Sequence, residues 1–114
     1  MTETLEVLST TREGDALTAA LRVPEDLRCL RGHFEGRPVL PGVMQLLTAR
    51  ALATALVGEG RRLARVTRLR FTKPVGPGAR LTAELTLHGA TVRFVLREGD
   101  AVVSSGALGY ESAP

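Results

Sequence analysis

The stretch Gly42–Val57 constrains the fold most strongly, because apolar side chains cover nearly its whole circumference if it is helical. Pro41 suits the first turn of a helix, where its missing N–H costs nothing, and no further breaker follows until Gly58. A helix that is apolar almost all round is typical of a central, buried position rather than a surface. Only four polar side chains interrupt the stretch, namely Gln45, Thr48, Arg50 and Thr54.

Shorter segments with the loose alternation of β-strands lie on both sides of this helix. They are Thr4–Thr10 and Ala16–Val23 before it, and Arg61–Phe71, Arg80–Leu87, Thr91–Arg97 and Ala101–Tyr110 after it. Tight connections between consecutive strands favour antiparallel pairing. The sequence therefore predicts an α+β fold in which one antiparallel sheet wraps around one buried helix.

The length and composition agree with this architecture. A chain of 114 residues suits a single domain, 1–114, and 44% hydrophobic residues suffice for a core. Aromatic residues make up only 4%, so Leu, Val and Ala must build that core. Such a small domain gains stability by covering a second apolar face with another copy, and we expect a dimer.

Several classes of protein are disfavoured. Cys29 is the single cysteine, so no intramolecular disulfide is possible, and no apolar run is long enough to span a bilayer. Glu3 and Glu6 stand where a signal peptide would be basic and apolar, which predicts a cytoplasmic protein. No metal-binding or nucleic-acid motif appears, and aromatic residues for base stacking are scarce.

The positive charge is almost entirely arginine. The net charge is +3 and the pI is near 10.0, with Lys73 the only lysine. This charge either serves solubility or meets a partner with an acidic surface, since guanidinium groups pair well with carboxylates and phosphates. The partner surface would be formed by Arg61, Arg62 and Arg65, with Arg68 and Arg70 beside them.

The segment Glu25–Pro41 is long and lacks any sustained periodicity, which is typical of a functional loop. His33 within it could take a proton from the carbon next to a carbonyl, although an isolated loop histidine is more often structural. Gly42 and Val43 at the helix start offer free backbone N–H groups for an oxygen that gains negative charge, and glycine there would let a ligand approach closely. His88 lies in a turn, and we expect no catalytic role for it.

The residues 32–45, which read Gly-His-Phe-Glu-Gly-Arg-Pro-Val-Leu-Pro-Gly-Val-Met-Gln, resemble the active-site signature of bacterial 3-hydroxyacyl-acyl carrier protein dehydratases. Glu35 replaces the proline usual in that family. A second block, Arg70–Leu81, resembles the family's Phe-x-x-Pro-Val-x-Pro-Gly-Asp-x-Leu segment, with Ala79 in place of Asp. The resemblance implies a hot-dog fold and a thioester substrate carried on the phosphopantetheine of acyl carrier protein, with no further cofactor, in fatty-acid or polyketide-type biosynthesis.

One departure affects the chemistry that the resemblance implies. The family places a Glu or Asp on the central helix to protonate the departing hydroxyl, and this chain has Leu47 there; Ala51 likewise replaces the family's helix glutamine. Because family sites combine residues from two subunits, a related subunit in a heterodimer could supply the carboxylate. Alternatively, Glu35 is the acid, or the protein binds acylated carrier without transforming it. A hot-dog thioesterase is a further alternative, although Leu47 counts against it as well.

The remaining candidates concern substrate binding. Phe34 and Leu47 are predicted to line the acyl channel, with plain core packing as the alternative for Phe34. Gln45 could orient a substrate group. For Gln45, Thr48 and Arg50, however, we expect a capped or exposed side chain.

Overall fold

The computed structural model describes residues 3–27 and 39–113. Six strands and one helix follow one another as β1 (Glu6–Glu13), β2 (Ala16–Arg22), α1 (Gly42–Val57), β3 (Arg61–Phe71), β4 (Arg80–His88), β5 (Thr91–Glu98) and β6 (Ala101–Ser112). The helix has the predicted bounds. It ends at Gly58, whose φ of 78° is readily adopted only by glycine and whose N–H donates to the Thr54 carbonyl at 3.1 Å.

The six strands form one sheet in the order β1-β2-β4-β5-β6-β3, and every neighbouring pair is antiparallel. The predicted α+β architecture is thereby confirmed. The least accurate boundary is that of β1, which starts and ends later than predicted. Every residue of this edge strand is exposed, so its sequence carries no alternation that would mark the ends.

The helix packs across the middle of the sheet, against β4 and β5. Small residues make the close approach possible: Ala49 and Ala53 of the helix are fully buried, as is Ala83 of β4. Around them the sheet contributes alternate large side chains from paired positions, including Leu85 opposite Phe94. The core is therefore built of Leu, Val and Ala around few aromatics, as the composition predicts.

The helix is not buried on all sides, which corrects the expectation from its composition. Within the described part of the chain, Val43 and Leu47 are 59% and 45% exposed, and Ala51 continues the same stripe. One sheet can cover only one face of a helix. No helix in the described ranges is long and apolar enough to cross a membrane.

Strand β3 forms the edge of the sheet opposite β1 and contains an irregularity. Its pairing with β6 shifts between Thr67 and Arg70, and Arg68 takes a φ of 54°. A positive φ at a residue other than glycine is uncommon and here accompanies the bulge. Leu69 within the bulge and Phe71 beyond it remain partly exposed. The end of β3 thus carries Phe71 to the N-terminal end of α1, where a Cβ on Gly42 would meet its ring.

Candidate functional site at the start of the helix

A cavity of about 460 Å³ opens at the N-terminal end of α1. Two parts of the chain that are distant in sequence form it: the residues around the helix start and those that follow β3. The lining residues are Val39, Leu40, Pro41, Gly42, Gln45, Phe71, Thr72, Lys73 and Pro74. The two blocks that carry the family resemblance therefore meet at one cavity.

The helix start offers two free backbone donors. The Met44 N–H donates to the Pro41 carbonyl at 3.0 Å, and the Gln45 N–H reaches the same oxygen at 3.4 Å. No described residue accepts a hydrogen bond from the N–H of Gly42 or Val43. Together with the positive end of the helix dipole, these groups suit an oxygen with partial or full negative charge. This is the geometry that the predicted thioester-binding role of Gly42 and Val43 requires.

Phe71 occupies the space beside Gly42. A Cβ on Gly42 would lie 2.7 Å from Cζ of the Phe71 ring, closer than real Cβ contacts come. The expectation that Gly42 leaves room for a ligand therefore needs correcting, because the aromatic ring uses that room. Phe71 is 48% exposed and also lines the cavity, so it forms one wall of the site. The Phe-x-x-Pro pattern contained this residue, but nothing in the sequence indicated what the ring contacts.

Hydrogen bonds fix the segment after β3 against the helix start. The Leu40 N–H donates to the Val75 carbonyl at 2.7 Å. The Thr72 N–H donates to the Val103 carbonyl at 2.9 Å, and its hydroxyl donates to the Val102 carbonyl at 2.7 Å. Lys73 is held more loosely, at 3.7 Å from the Glu98 carboxylate. The cavity wall thus rests on backbone contacts, while its one lysine stays largely exposed.

Gln45 is the polar residue whose environment the sequence predicts wrongly. Instead of being capped or exposed, its side chain is only 3% exposed, and Oε1 has no hydrogen-bond partner among the described residues. Thr48 behaves as expected, since its hydroxyl donates to the Met44 carbonyl at 2.7 Å, and Arg50 is exposed. Polarity alone could not locate Gln45, because the face it occupies depends on where the sheet lies.

Leu47 lies at a different cavity from Gly42 and Gln45. That second cavity, of about 550 Å³, lies between the exposed side of α1 and the start of the chain. Its lining is largely apolar and comprises Glu3, Thr4, Leu5, Val7, Met44, Leu47, Thr48, Ala51 and Leu52. Within one chain, the position that carries an acid in the resembled family therefore does not line the cavity at the helix start.

Three predicted site residues, His33, Phe34 and Glu35, lie outside the described residues, as does Cys29. Among the arginines predicted to meet a carrier, Arg62 pairs with Glu111 at 2.6 Å and Arg61 donates to the Gly89 carbonyl at 3.3 Å. Arg65 lies over Gly109, where a Cβ would come within 2.9 Å of its Cγ. Two of these three guanidinium groups thus already have partners within the chain.

Away from this cavity, Tyr110 and Ser104 are further buried residues whose hydroxyls have no partner among the described residues, and Tyr110 is the one that titrates. Tyr110 is 8% exposed. Burial raises the pKa of Tyr110 above its ordinary value, and the positive charge of Arg50 partly opposes this. Tyr110 does not line the cavity at the helix start.

Comparison with known proteins finds similar sequences among dehydratases. A family model described as ApeI-like, ApeI dehydratase, matches residues 9–107. The 3-hydroxyacyl-[acyl-carrier-protein] dehydratases FabZ of Klebsiella pneumoniae and Salmonella arizonae are each 36% identical over 86 residues, covering 67% of this chain and 56% of the relative. The chain thus spans about half the length of the curated relatives it matches.

Solved structures extend the likeness to the fold. The dehydratase heterocomplex ApeI:P from Xenorhabdus doucetiae superposes with a TM-score of 0.86 at 21% identity, covering 94% of this chain and 97% of that one. An uncharacterized protein from Erwinia carotovora gives a TM-score of 0.76 at 28% identity, covering 95% and 96% of the two chains. The hot-dog architecture predicted from the sequence is confirmed. Because the family model spans most of its length, the chain belongs to the ApeI-like dehydratase family.

Proposed function

We propose that this chain is one subunit of a heteromeric dehydratase that converts a 3-hydroxyacyl thioester into the enoyl thioester and water. The observation that carries the proposal is the cavity at the helix start, which Gly42 and Phe71 both line, with the free N–H groups of Gly42 and Val43 beside it. Family membership supports the reaction class. The thioester is carried by the phosphopantetheine arm of acyl carrier protein, in the cytoplasm.

The reaction needs a base, an oxyanion site and an acid. In the proposed mechanism His33 removes the proton from C2, and the electron pair moves toward the thioester carbonyl. The N–H groups of Gly42 and Val43 stabilise the negative charge that develops on the carbonyl oxygen. The double bond between C2 and C3 then forms as the C3 hydroxyl leaves, and this hydroxyl must receive a proton to depart as water.

The acid has to come from outside the helix of this chain. Leu47 carries no proton to donate, and it lies at the second cavity rather than beside Gly42. We assign the acid to a second hot-dog subunit that packs on the exposed stripe of Val43 and Leu47. The similar Xenorhabdus protein belongs to a dehydratase heterocomplex, and this supports a pairing of the same kind here.

Replacing Leu47 tests whether an acid at this position of a neighbouring subunit restores turnover. Because a general acid typically contributes about 10²–10⁴ in rate, Leu47→Glu should raise turnover of 3-hydroxyacyl carrier at least about a hundredfold in a homodimer in which position 47 of one copy reaches the cavity of the other. Leu47→Gln is the matched control, since it has similar size and polarity but no proton to donate at neutral pH. The measurement is enoyl formation by mass spectrometry of the carrier. His33→Asn should abolish the gain.

Two results together would contradict the enzyme proposal. The Leu47→Glu variant would show no turnover, and the wild-type chain mixed with the other hot-dog subunits of its native host would show none either. Tight binding of acylated carrier under those conditions would favour the second candidate, a carrier-binding subunit without chemistry, which the absence of an acid at Leu47 supports.

Docking of the carrier is proposed at the first half of β3, where Arg61, Arg62 and Arg65 lie. An acidic partner would have to compete with Glu111 for Arg62. Affinity for the carrier should fall as ionic strength rises, because salt screens exposed charges. An affinity that does not change with ionic strength would contradict the proposed docking surface on β3, and the dehydratase proposal would be unaffected.

A further inference from the structure

Gln45 is the one buried polar side chain of α1, and its Oε1 has no hydrogen-bond partner within the described ranges. A buried carbonyl oxygen without a donor loses its hydration and gains nothing in return, which costs free energy. Met or Leu would fill the same space at no such cost. An unpartnered acceptor at this position suits a hydrogen-bond donor that a ligand supplies.

The cavity at the helix start indicates which kind of ligand group could donate to Gln45 Oε1. Gly42 and Gln45 both line it, so a glutamine whose buried Oε1 has no partner among the described residues lies at the same cavity as the backbone donors of the helix start. A ligand that satisfies both must present an acceptor oxygen and, a short distance away, a donor. A hydrocarbon chain provides neither, and a simple thioester provides only the acceptor.

The spacing of the two protein groups limits the distance between the two ligand groups. Gly42 and Gln45 are separated by three helical positions, which is a rise of about 4.5 Å and places them on neighbouring parts of one face. A 3-hydroxyacyl thioester carries its carbonyl oxygen on C1 and its hydroxyl on C3. These two oxygens are a few ångströms apart, which is of the same order as the helical rise between Gly42 and Gln45.

We propose that Gln45 Oε1 accepts a hydrogen bond from the C3 hydroxyl of the substrate, so that Gln45 selects 3-hydroxyacyl thioesters over acyl thioesters without that hydroxyl. This inference rests on the proposed dehydratase function and adds the residue that recognises the leaving group. The enoyl product has lost the C3 hydroxyl, so Oε1 loses this partner after the reaction. Gln45 therefore favours bound substrate over bound product.

The role is one of binding and not of proton transfer. A carboxamide does not exchange its proton in the neutral range, so Gln45 cannot replace the acid that is missing at Leu47. Substitution of Gln45 should accordingly raise KM for the hydroxyacyl substrate and leave the pH profile of kcat unchanged. A role as acid, in contrast, would remove one limb of that profile.

The experiment compares two ligands that differ by a single hydroxyl. The ligands are the stable amide analogues of 3-hydroxyoctanoyl-pantetheine and octanoyl-pantetheine, titrated by calorimetry into the full chain in the form in which it purifies. The wild-type chain should bind the hydroxylated analogue about tenfold more tightly, the value of one buried hydrogen bond. Gln45→Met, which keeps the size of the side chain, should reduce this ratio to about one.

Thr48→Val is the matched control on the same helix. It also removes one polar group, but Thr48 lines the second cavity and its hydroxyl already donates to Met44. Its binding ratio should equal that of the wild type. Thermal unfolding of each variant shows whether the variant is folded.

Three results would overturn the inference: a wild-type ratio of one, no measurable binding of the hydroxylated analogue, or an undiminished ratio in Gln45→Met. An undiminished ratio accompanied by an equal loss of affinity for both ligands would mean that Oε1 accepts from a pantetheine amide instead of the hydroxyl. If Gln45→Met fails to fold, Gln45→Leu, which also lacks the acceptor oxygen, provides the same comparison. Failure of the dehydratase proposal would look different, because the ratio would persist while no enoyl product formed.

Discussion

The two faces of α1 have nearly the same apolar composition but opposite environments. On the inner face, Ala49 and Ala53 are fully buried and Leu56 is 5% exposed. On the outer face, Val43 and Leu47 remain largely exposed although they are as hydrophobic. The composition therefore identifies a helix with apolar residues on two faces, and the sheet of one chain buries only one of these faces.

The inner face also holds the exception that defines the site. Gln45 is buried there, whereas the outer stripe is formed by apolar residues such as Val43 and Leu47. In a helix packed only for stability the polar residue would face outward and the leucine inward. The inversion supports the proposed ligand site on the inner face near Gly42 and the proposed subunit interface on the outer face.

The largest predicted effect is on the free energy of unfolding when a leucine on each face of α1 is replaced by alanine. Leu56→Ala should lower the free energy of unfolding by about 2–5 kcal/mol, since it leaves a cavity against the sheet. Leu47→Ala should cost less than about 1 kcal/mol in dilute solution, because its side chain already contacts solvent. Urea unfolding measures both. A cost for Leu47→Ala that grows with protein concentration would mean that a second copy covers the outer face.

A smaller effect contrasts two glycines that each lie against an aromatic ring. A Cβ on Gly106 would come within 2.8 Å of the buried Phe94 ring, and one on Gly42 within 2.7 Å of the half-exposed Phe71 ring. Gly106→Ala should therefore cost about 1–3 kcal/mol of stability, as other overpacked cores do. Gly42→Ala should cost less, because Phe71 can swing outward.

The functional consequence of these two substitutions should be the reverse of their effect on stability. Displacing Phe71 changes a wall of the cavity, so Gly42→Ala should weaken binding of the hydroxylated pantetheine analogue, and adding Phe71→Leu should restore part of it. Gly106→Ala, once folded, should bind normally. Equal unfolding costs for the two variants would show that the Phe71 ring is held as firmly as that of Phe94.

The smallest effect concerns Tyr110, whose hydroxyl is buried without a partner among the described residues, as Gln45 Oε1 is, but away from the cavity at the helix start. Tyr110→Phe should change the free energy of unfolding by less than about 1 kcal/mol at neutral pH, since no hydrogen bond to a described residue is lost. It should also leave ligand discrimination unchanged. Loss of discrimination would imply that the two polar groups act together.

The pH dependence of the Tyr110 contribution follows from its raised pKa. The folded chain holds the phenol proton more tightly than the unfolded chain, whose pKa is near 10.0. The contribution of Tyr110 to the free energy of unfolding is therefore fully present below pH 10.0 and is lost as the pH rises through the pKa of the folded chain. Tyr110→Phe should lack this alkaline loss. As Tyr110 is the only tyrosine, phenolate absorbance reports its titration directly, and an unshifted midpoint would contradict the assignment.

The sequence determined the elements that depend on local rules. The bounds of α1 follow from Pro41, Gly58 and the uninterrupted apolar stretch between them, and the alternation in β4 and β5 sufficed to place both strands. The start of β1 was misplaced, because an exposed edge strand has no pattern of burial to reveal it. The two motifs likewise identified the helix start as the candidate site.

Only the tertiary structure decided which surface or cavity each side chain of the helix faces. The sequence shows a glutamine and a leucine two positions apart on one helix, but not that Gln45 faces the cavity and Leu47 the opposite side. The contact of Phe71 with Gly42 also joins segments far apart in the chain. These facts depend on how the sheet curves around the helix, which is fixed by packing of the whole core and not by any short pattern.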